Sequence, residues 1–373
     1  ISLSLNSPFY TSLRNEIDRL GGCHNAHLHL DRINTLEDGM VDRGNLKVLD
    51  NSHISLQKKH ALIATVHEGP AYDEANLKAR LASATELLIE ANTRVADTMV
   101  DVTDDRIQLS ALETVQSHAR QVADKIEINA AVYSPLGFRD DQPTRWNLFE
   151  RAAKQADFIG ALPEADDVDD YPENIGFDEH CVRMLDLARR EKKILHVHTD
   201  QRNEPSERGT ERLIERVKRE GRLPRINGEP AIWAVHMISP STYEEERFQA
   251  LLNGMLECDI GLICCPSAAL GMRQLRPLKT PTYNSIPRVL ELAAAGVQVK
   301  LGSDNVADMC SPSTTADLVD EVFILTAALR FYKIEILAKF AAGIALDSIE
   351  KQLLSDHLQK NDAEIERVLN GAH

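Results

Sequence analysis

Two histidines one residue apart, His27 and His29 in NAHLHLDR, close a short apolar run and are followed at once by Asp31 and Arg32. On an extended strand, residues of equal parity share a face, so both imidazoles point the same way. Other histidines take comparable places. His198 ends KILHVH (193–198), His236 stands near the end of AIWAVHM (231–237), and Asp304 follows VQVKLGS (297–303). Neutral imidazoles with one carboxylate are the donor set that a borderline divalent cation such as zinc prefers, and such a cation makes water a nucleophile near neutral pH. A lone histidine at a strand end is more often a half-buried, hydrogen-bonded side chain, and 13 histidines make some coincidence expected. Coincidence does not explain histidines and a carboxylate recurring at the same end of several strands.

The elements that must gather these groups are legible as an alternation. Short runs rich in Val, Ile and Ala fall at 23–30, 95–102, 126–134, 158–163, 193–198, 231–237, 260–265 and 297–303. Helical periodicity fills 73–91, 105–123, 145–156, 178–191, 206–220, 240–256 and 284–295. A long helical stretch covers 313–345 and a charged helix 348–369. Strands alternating with helices signal a parallel sheet with crossover helices, and eight repeats predict an α/β fold of the (β/α)8 TIM-barrel type. In such a barrel all strand C-termini open on one rim, where His27, His29, His198, His236 and Asp304 converge. A doubly wound open sheet is the alternative, but no glycine-rich phosphate loop follows any run. The expected organisation is an N-terminal helical extension (1–22), the barrel (23–345) and a C-terminal helical tail (346–373). The connection 31–72 is long enough to be a lid or binding loop, in which His60 and His67 read as solvent-facing.

Composition narrows the function. The chain has 373 residues, with 42 Lys and Arg against 58 Asp and Glu, a net charge of −16. That charge repels nucleic acid and anionic lipid, and no basic stripe offsets it. No run approaches the ~18 apolar residues of a membrane span, and no signal peptide is visible, so the cytoplasm is the expected compartment. The cysteines Cys23, Cys181, Cys258, Cys264, Cys265 and Cys310 lie scattered and form no C-x-x-C pair, so they read as reduced thiols. The expected partner is a small molecule. The sequence carries no interface signature, leaving homo-oligomer formation open. It begins at Ile1 rather than methionine, which leaves open a longer product.

The pattern resembles the amidohydrolase superfamily, and in detail its cytosine deaminase branch. The resemblance runs from about His27 to Asp304 and is carried by HLHLD, TMVDVTD (98–104), GALPEAD (160–166), VHTDQRNEPSER (197–208), AVHMIS (234–239) and LGSDNVADM (301–309). It implies one divalent metal ion, zinc or alternatively iron, held by His27, His29, His198 and Asp304. Asp304 would also act as general base toward the metal-activated water, and His236 would hydrogen-bond that water or the developing oxyanion. Dinuclear relatives use a carboxylated lysine at the end of strand four; here that place reads FIGALPEA without lysine, which implies a mononuclear site.

The chain also departs from the branch. Cytosine deaminases carry a proton-shuttling glutamate three residues after the strand-five histidine; here that residue is Gln201, whose amide is neither acid nor base near neutral pH. Glu164, Asp166 or Glu204 would have to replace it, although each reads on its own as a solvated loop carboxylate. Leu136 in YSPLGF stands where the branch has a pyrimidine-reading glutamine, and Asn305 where it often has a second aspartate. Leu136, Glu164, Asn305 and Arg32 are therefore the candidate substrate contacts, with Gln201 beside the reacting atoms. Arg273 and Arg288 are weaker candidates for gripping a carbonyl-rich ligand, since loop arginines are commonly solvated. His196, one layer below His198, reads as a hydrogen-bonded core residue. The helical chain ends predict little or no accessory β-sandwich. The resulting expectation is a metal-dependent hydrolase of a C–N bond in a small nitrogen heterocycle or cyclic amide. A true aminohydrolase with a relocated carboxylate, and a metal-binding barrel without turnover, remain the alternatives.

Overall fold

A computed structural model describes residues 7–36, 40, 56–272 and 285–370. All eight apolar runs are strands: β1 (Cys23–Leu28), β2 (Thr93–Asp101), β3 (Glu127–Tyr133), β4 (Phe158–Ala161), β5 (Leu195–Thr199), β6 (Ile232–His236), β7 (Ile260–Cys264) and β8 (Val299–Leu301). They form one parallel sheet in sequence order. A parallel bridge between Leu28 and Asp304 joins β8 back to β1, completing the (β/α)8 barrel.

Helices cover the outside. α1 (Pro8–Arg19) precedes β1, and α2 (Leu56–Glu68) and α3 (Glu74–Glu90) follow it. Then come α4 (Ser110–Gln121), α5 (Thr144–Gln155), α6 (Phe177–Glu191), α7 (Gly209–Glu220), α8 (Glu245–Cys258), α9 (Pro266–Gly271) and α10 (Val289–Ala295), with α11 (Leu318–Leu329), α12 (Ile334–Ala342) and α13 (Ser348–Leu369) after β8. α7 shows why such segments are helices: Leu213, Ile214 and Val217 recur at helical spacing and are buried, while charged residues fill its other face. The large core lies between this helical layer and the sheet. Leu13 and Ile17 of α1 belong to it, so the N-terminal helix is packed into the barrel's own core. Two smaller clusters fill the barrel interior, one around Met99 and Tyr133, the other around Trp233 and Ile263.

Some boundaries differ from the pattern. The stretch 313–345 is two helices, because Arg330 takes a left-handed φ of 52° and Phe331 turns into the core. The connection 31–72 holds the whole of α2. α13 has the predicted extent and begins with a capping box between Asp347 and Glu350. No helix among the described residues is long and apolar enough to cross a membrane.

Closure depends on Gly302. A Cβ at this position would lie 2.7 Å from His27 Cβ and 2.8 Å from His27 O, so only glycine lets β8 come this close to β1. Asn25 seals the same seam, donating from Nδ2 to Ser303 Oγ (2.8 Å) and accepting the Ser303 amide at Oδ1 (3.1 Å). Gly302→Ala is expected to cost roughly 1–3 kcal/mol through overpacking. A denaturant titration checks this, and a wild-type midpoint would show that the seam has room to spare.

Candidate metal centre

Four imidazoles and one carboxylate meet at the C-terminal rim of the barrel. His27 Nε2 lies 3.6 Å and His29 Nε2 3.4 Å from Asp304 Oδ1, and His236 Nε2 lies 3.9 Å from Asp304 Oδ2. The His198 ring is centred 4.8 Å from that of His27 and 5.3 Å from that of His236. Ligand atoms of His27, His198 and His236, and of His27, His29 and Asp304, lie within 4.8 Å of one another, close enough to hold one ion.

Local backbone features aim these side chains. In β1, the segment 25 to 28 advances against only 96 to 98 of β2, a bulge that re-aims His27. His198 needs no such device: it continues the inward parity of β5, and its Nδ1 donates to Ala161 O (2.9 Å), leaving Nε2 as the free ligand atom. His236 departs from parity. Its neighbours Trp233 and Val235 fill the barrel interior, yet the left-handed backbone at His236 (φ 78°) and Met237 (φ 49°) turns the imidazole to the centre. Asp304 is also left-handed (φ 59°), and its amide donates to His27 O (2.9 Å). Non-glycine residues held in this region store strain, and such positions cluster at functional sites.

The electrostatics suit a cation. Burial pushes His29 down to about 3, with Arg32 adding to the effect, and His236 down to about 4; it takes His198 well below its ordinary value. These imidazoles are therefore neutral, as ligands must be. Burial works against ionising Asp304, but the imidazoles of His27 and His29 outweigh it and hold the carboxyl well below the usual range. Among the described residues, both ring nitrogens of His27 are buried without a hydrogen-bond partner, as is His236 Nδ1. A buried polar atom left so costs about 1–3 kcal/mol, and a bound ion would remove that cost for a ligand atom. On both counts the residues fit a metal ion.

Tyr133, not singled out in the sequence, and Arg32, expected as a substrate contact, both pack against this centre. Tyr133, at the end of β3, packs its ring 5.2 Å from that of His198 and 5.5 Å from that of His29. Arg32 is buried and its guanidinium lies against His29 Nδ1, which leaves His29 Nε2 as the ring atom that faces Asp304. Arg32 Nε lies 3.7 Å from Asp101 Oδ2, which makes Arg32 a brace between the centre and β2. His67 is not solvent-facing. It is fully buried and donates from Nε2 to Asp101 (3.0 Å) and from Nδ1 to Asp105 (2.7 Å). Two facing carboxylates explain why this position is inside, a pairing that periodicity does not reveal. His60's side chain lies outside the described residues.

The other candidates divide. Gln201 is buried and donates from Nε2 to Glu164 Oε2 (3.0 Å), so these two are brought together. Asn305 is buried, and its amide donates to Asp308 Oδ2 at 2.5 Å. Leu136 is half-buried, and its carbonyl accepts from Arg145 (3.1 Å). Asp166 is not solvated: it accepts the Phe138 amide (2.7 Å) and His180 Nδ1 (2.6 Å), tying the loop after β3 to the loop after β4. Glu204 accepts from Ser206. Arg288 pairs with Glu245 and Glu291 over the Phe248 ring, among the outer helices, and Arg273 lies outside the described residues. His196 is a buried core residue against Phe158, as expected, and its Nδ1 meets no hydrogen-bond partner among the described residues.

Comparisons with known proteins bear on the fold. No family model matches the chain. A protein of uncharacterised function from Haemophilus influenzae is 28% identical over 290 residues, 75% of this chain and 96% of that protein. A pterin deaminase from Rhizobium rhizogenes is 21% identical over 212 residues, 57% of this chain but only 45% of that enzyme. Among solved structures, 5-methylcytosine deaminase from Klebsiella pneumoniae superposes with a TM-score of 0.72 at 21% identity, covering 86% of this chain and 72% of that one. N-isopropylammelide isopropylaminohydrolase from Burkholderia multivorans gives 0.64 at 20% identity, with the same coverage of 86% and 72%. At these identities the likeness establishes the shared fold.

His67 yields a pH prediction. Burial alone would lower its pKa; Asp101 and Asp105 outweigh this and raise it to about 9, with Tyr72 and Thr103 completing its surroundings. A histidine raised from 6.5 contributes stability that is complete below about 6.5 and lost as the pH climbs through about 9. By the size of the shift that contribution is roughly 3 kcal/mol at most. The stability gap between wild type and His67→Gln should therefore shrink from about pH 6.5 to about pH 10. A gap constant across that range would contradict a charged His67.

Proposed function

We propose that this chain is a mononuclear, metal-dependent hydrolase of the amidohydrolase superfamily that breaks a C–N bond of a small nitrogen heterocycle or cyclic amide. The observation that carries this reading is the meeting of two buried triads that share His27, His27–His29–Asp304 and His27–His198–His236, at the C-terminal rim of the barrel. Neither β4 nor the turn that follows it, Pro163–Asp166, contains a lysine, which favours one ion over two. The neighbours support the bond type, since the names deaminase and aminohydrolase describe loss of an amine.

His27, His29, His198 and Asp304 would hold the cation, and an all-nitrogen-and-oxygen set of this kind suits zinc. When bound, such an ion supplies Lewis acidity that brings the pKa of water toward neutrality. Asp304 stays ionised and is the base that accepts the proton of the attacking water. His236, facing the second oxygen of Asp304, donates to the oxyanion that develops on the substrate. Tyr133, packed against His29 and His198, would present an apolar edge to the ring, and Leu136 is kept as a proposed second contact.

Zinc-reconstituted protein should release ammonia or isopropylamine from at least one of cytosine, guanine, pterin and N-isopropylammelide. His27→Ala and Asp304→Ala should lose both bound zinc and turnover, the latter by about 10³-fold or more. Full zinc occupancy and full rate in either variant would refute the ligand assignment. Stoichiometric zinc with no turnover on any of the four would favour a binding protein.

A further inference from the structure

The segments that leave β4 and β5 are stitched together twice. Ala161 O accepts His198 Nδ1 at the strand ends, and three residues further along each chain Glu164 Oε2 accepts Gln201 Nε2 at 3.0 Å. The second contact thus sits one step above an imidazole of the metal centre, on the active rim. Glu164 is the first residue after Pro163 in a short 3₁₀ turn, which fixes where its side chain emerges. Gln201 is 5% exposed and cannot move its amide freely. Glu164 Oε1 is buried and meets no donor among the described residues.

Resting on the hydrolase reading above, we propose that Glu164 is the proton donor of the reaction, with Gln201 as the residue that positions it. Because Oε2 accepts the Gln201 amide, the acid form carries its hydrogen on Oε1, the oxygen without a partner. The charged groups that face it are Asp200 and Arg202 from the exit of β5 and Glu207 from the turn before α7; Arg202 is itself engaged by Asp170. Burial first, and Asp200 next, raise the Glu164 carboxyl to about 7, where a group can both give and take a proton at neutral pH. Asp166 and Glu204 lack this arrangement, since Asp166 is committed to Phe138 and His180, and Glu204 to Ser206.

The protons balance over one turnover. As the water oxygen bonds to the substrate carbon, Asp304 takes one water proton and Glu164 gives its own to the ring nitrogen, which receives the electron pair of the C=N bond. The C–N bond to the departing amine then breaks, its electron pair going to nitrogen, which takes the proton from Asp304. The remaining hydroxyl proton returns to Glu164 as the C=O bond forms. A glutamine at 201 is then no defect, because the carboxyl that works beside His198 comes from the neighbouring strand.

The test uses the zinc-loaded full chain and the variants Glu164→Gln, Gln201→Glu and the two combined. With cytosine and N-isopropylammelide as probes, Glu164→Gln should lower kcat about 10²–10⁴-fold, the range for a lost general acid, with KM and zinc content within about threefold of wild type. The combined variant should recover at least about tenfold of that loss, because a carboxyl is restored at the same hydrogen bond. A Glu164→Gln rate within about threefold of wild type would overturn the proposal. pH-difference infrared spectra provide a readout without turnover: wild type should show a carboxylic acid C=O band titrating near neutrality that Glu164→Gln lacks. Identical spectra would equally overturn it. If wild type turned over neither probe, the kinetic comparison would move to guanine and pterin; no turnover on any of the four would sink the hydrolase reading by itself, and the infrared band would still decide whether Glu164 holds the proton.

Discussion

Neutral imidazoles buried around an ionised aspartate are a costly arrangement, and most of the distinctive local structure exists to impose it. Desolvation alone would discharge Asp304, and it strips His29, His198 and His236 of any positive charge. Both ring nitrogens of His27 are buried without a hydrogen-bond partner among the described residues. Left to relax, such groups would turn toward water or toward one another. The bulge in β1, the left-handed residues at His236 and Asp304, and the glycine seam between β8 and β1 prevent it. The fold thus holds imidazole nitrogens without partners in position, the preorganisation that the proposed metal binding would use.

A charged network behind the centre stiffens one side of the rim. Arg32 links His29 to Asp101, Asp101 accepts from His67 and Tyr72, and Tyr72 also donates to Asp31 at 2.9 Å. Arg80 reaches across from α3 to the carbonyls of Asp31, Ile33 and Ala71. Together these contacts fasten both ends of the long connection after β1 to the barrel, so the segment carrying His29 is held from two directions. A buried network of this kind is worth little as a source of stability, but it fixes geometry once every member is paired.

Much of this was legible in the sequence, and the exceptions are physical. All eight strands could be read because buried parallel strands are near-continuous apolar runs. Their alternation with helices then fixed which end of each strand faced the rim, so His27, His29, His198 and Asp304 could be grouped. His236 could be grouped by its place in the chain but not by parity, which assigns the interior to Val235; only the left-handed turn resolves this. His67 looked like a loop residue because its partners Asp101 and Asp105 come from another strand exit, and pairing across the barrel leaves no periodic trace. Glu164 was one of three carboxylates indistinguishable by pattern. Contact with Gln201 separates it from Asp166 and Glu204. The helix expected over 313–345 failed at Arg330, where one backbone conformation outweighed a sustained apolar period.

The claim at the centre is that these side chains, and no others, bind one ion. X-ray absorption at the zinc edge of the reconstituted protein measures this most directly. The account predicts a single shell of nitrogen and oxygen ligands at about 2.0–2.1 Å, with imidazole scattering beyond it and about one zinc per chain. A sulfur shell near 2.3 Å would place the ion at a cysteine instead. That result, or an oxygen-only shell without imidazole scattering, would contradict the account.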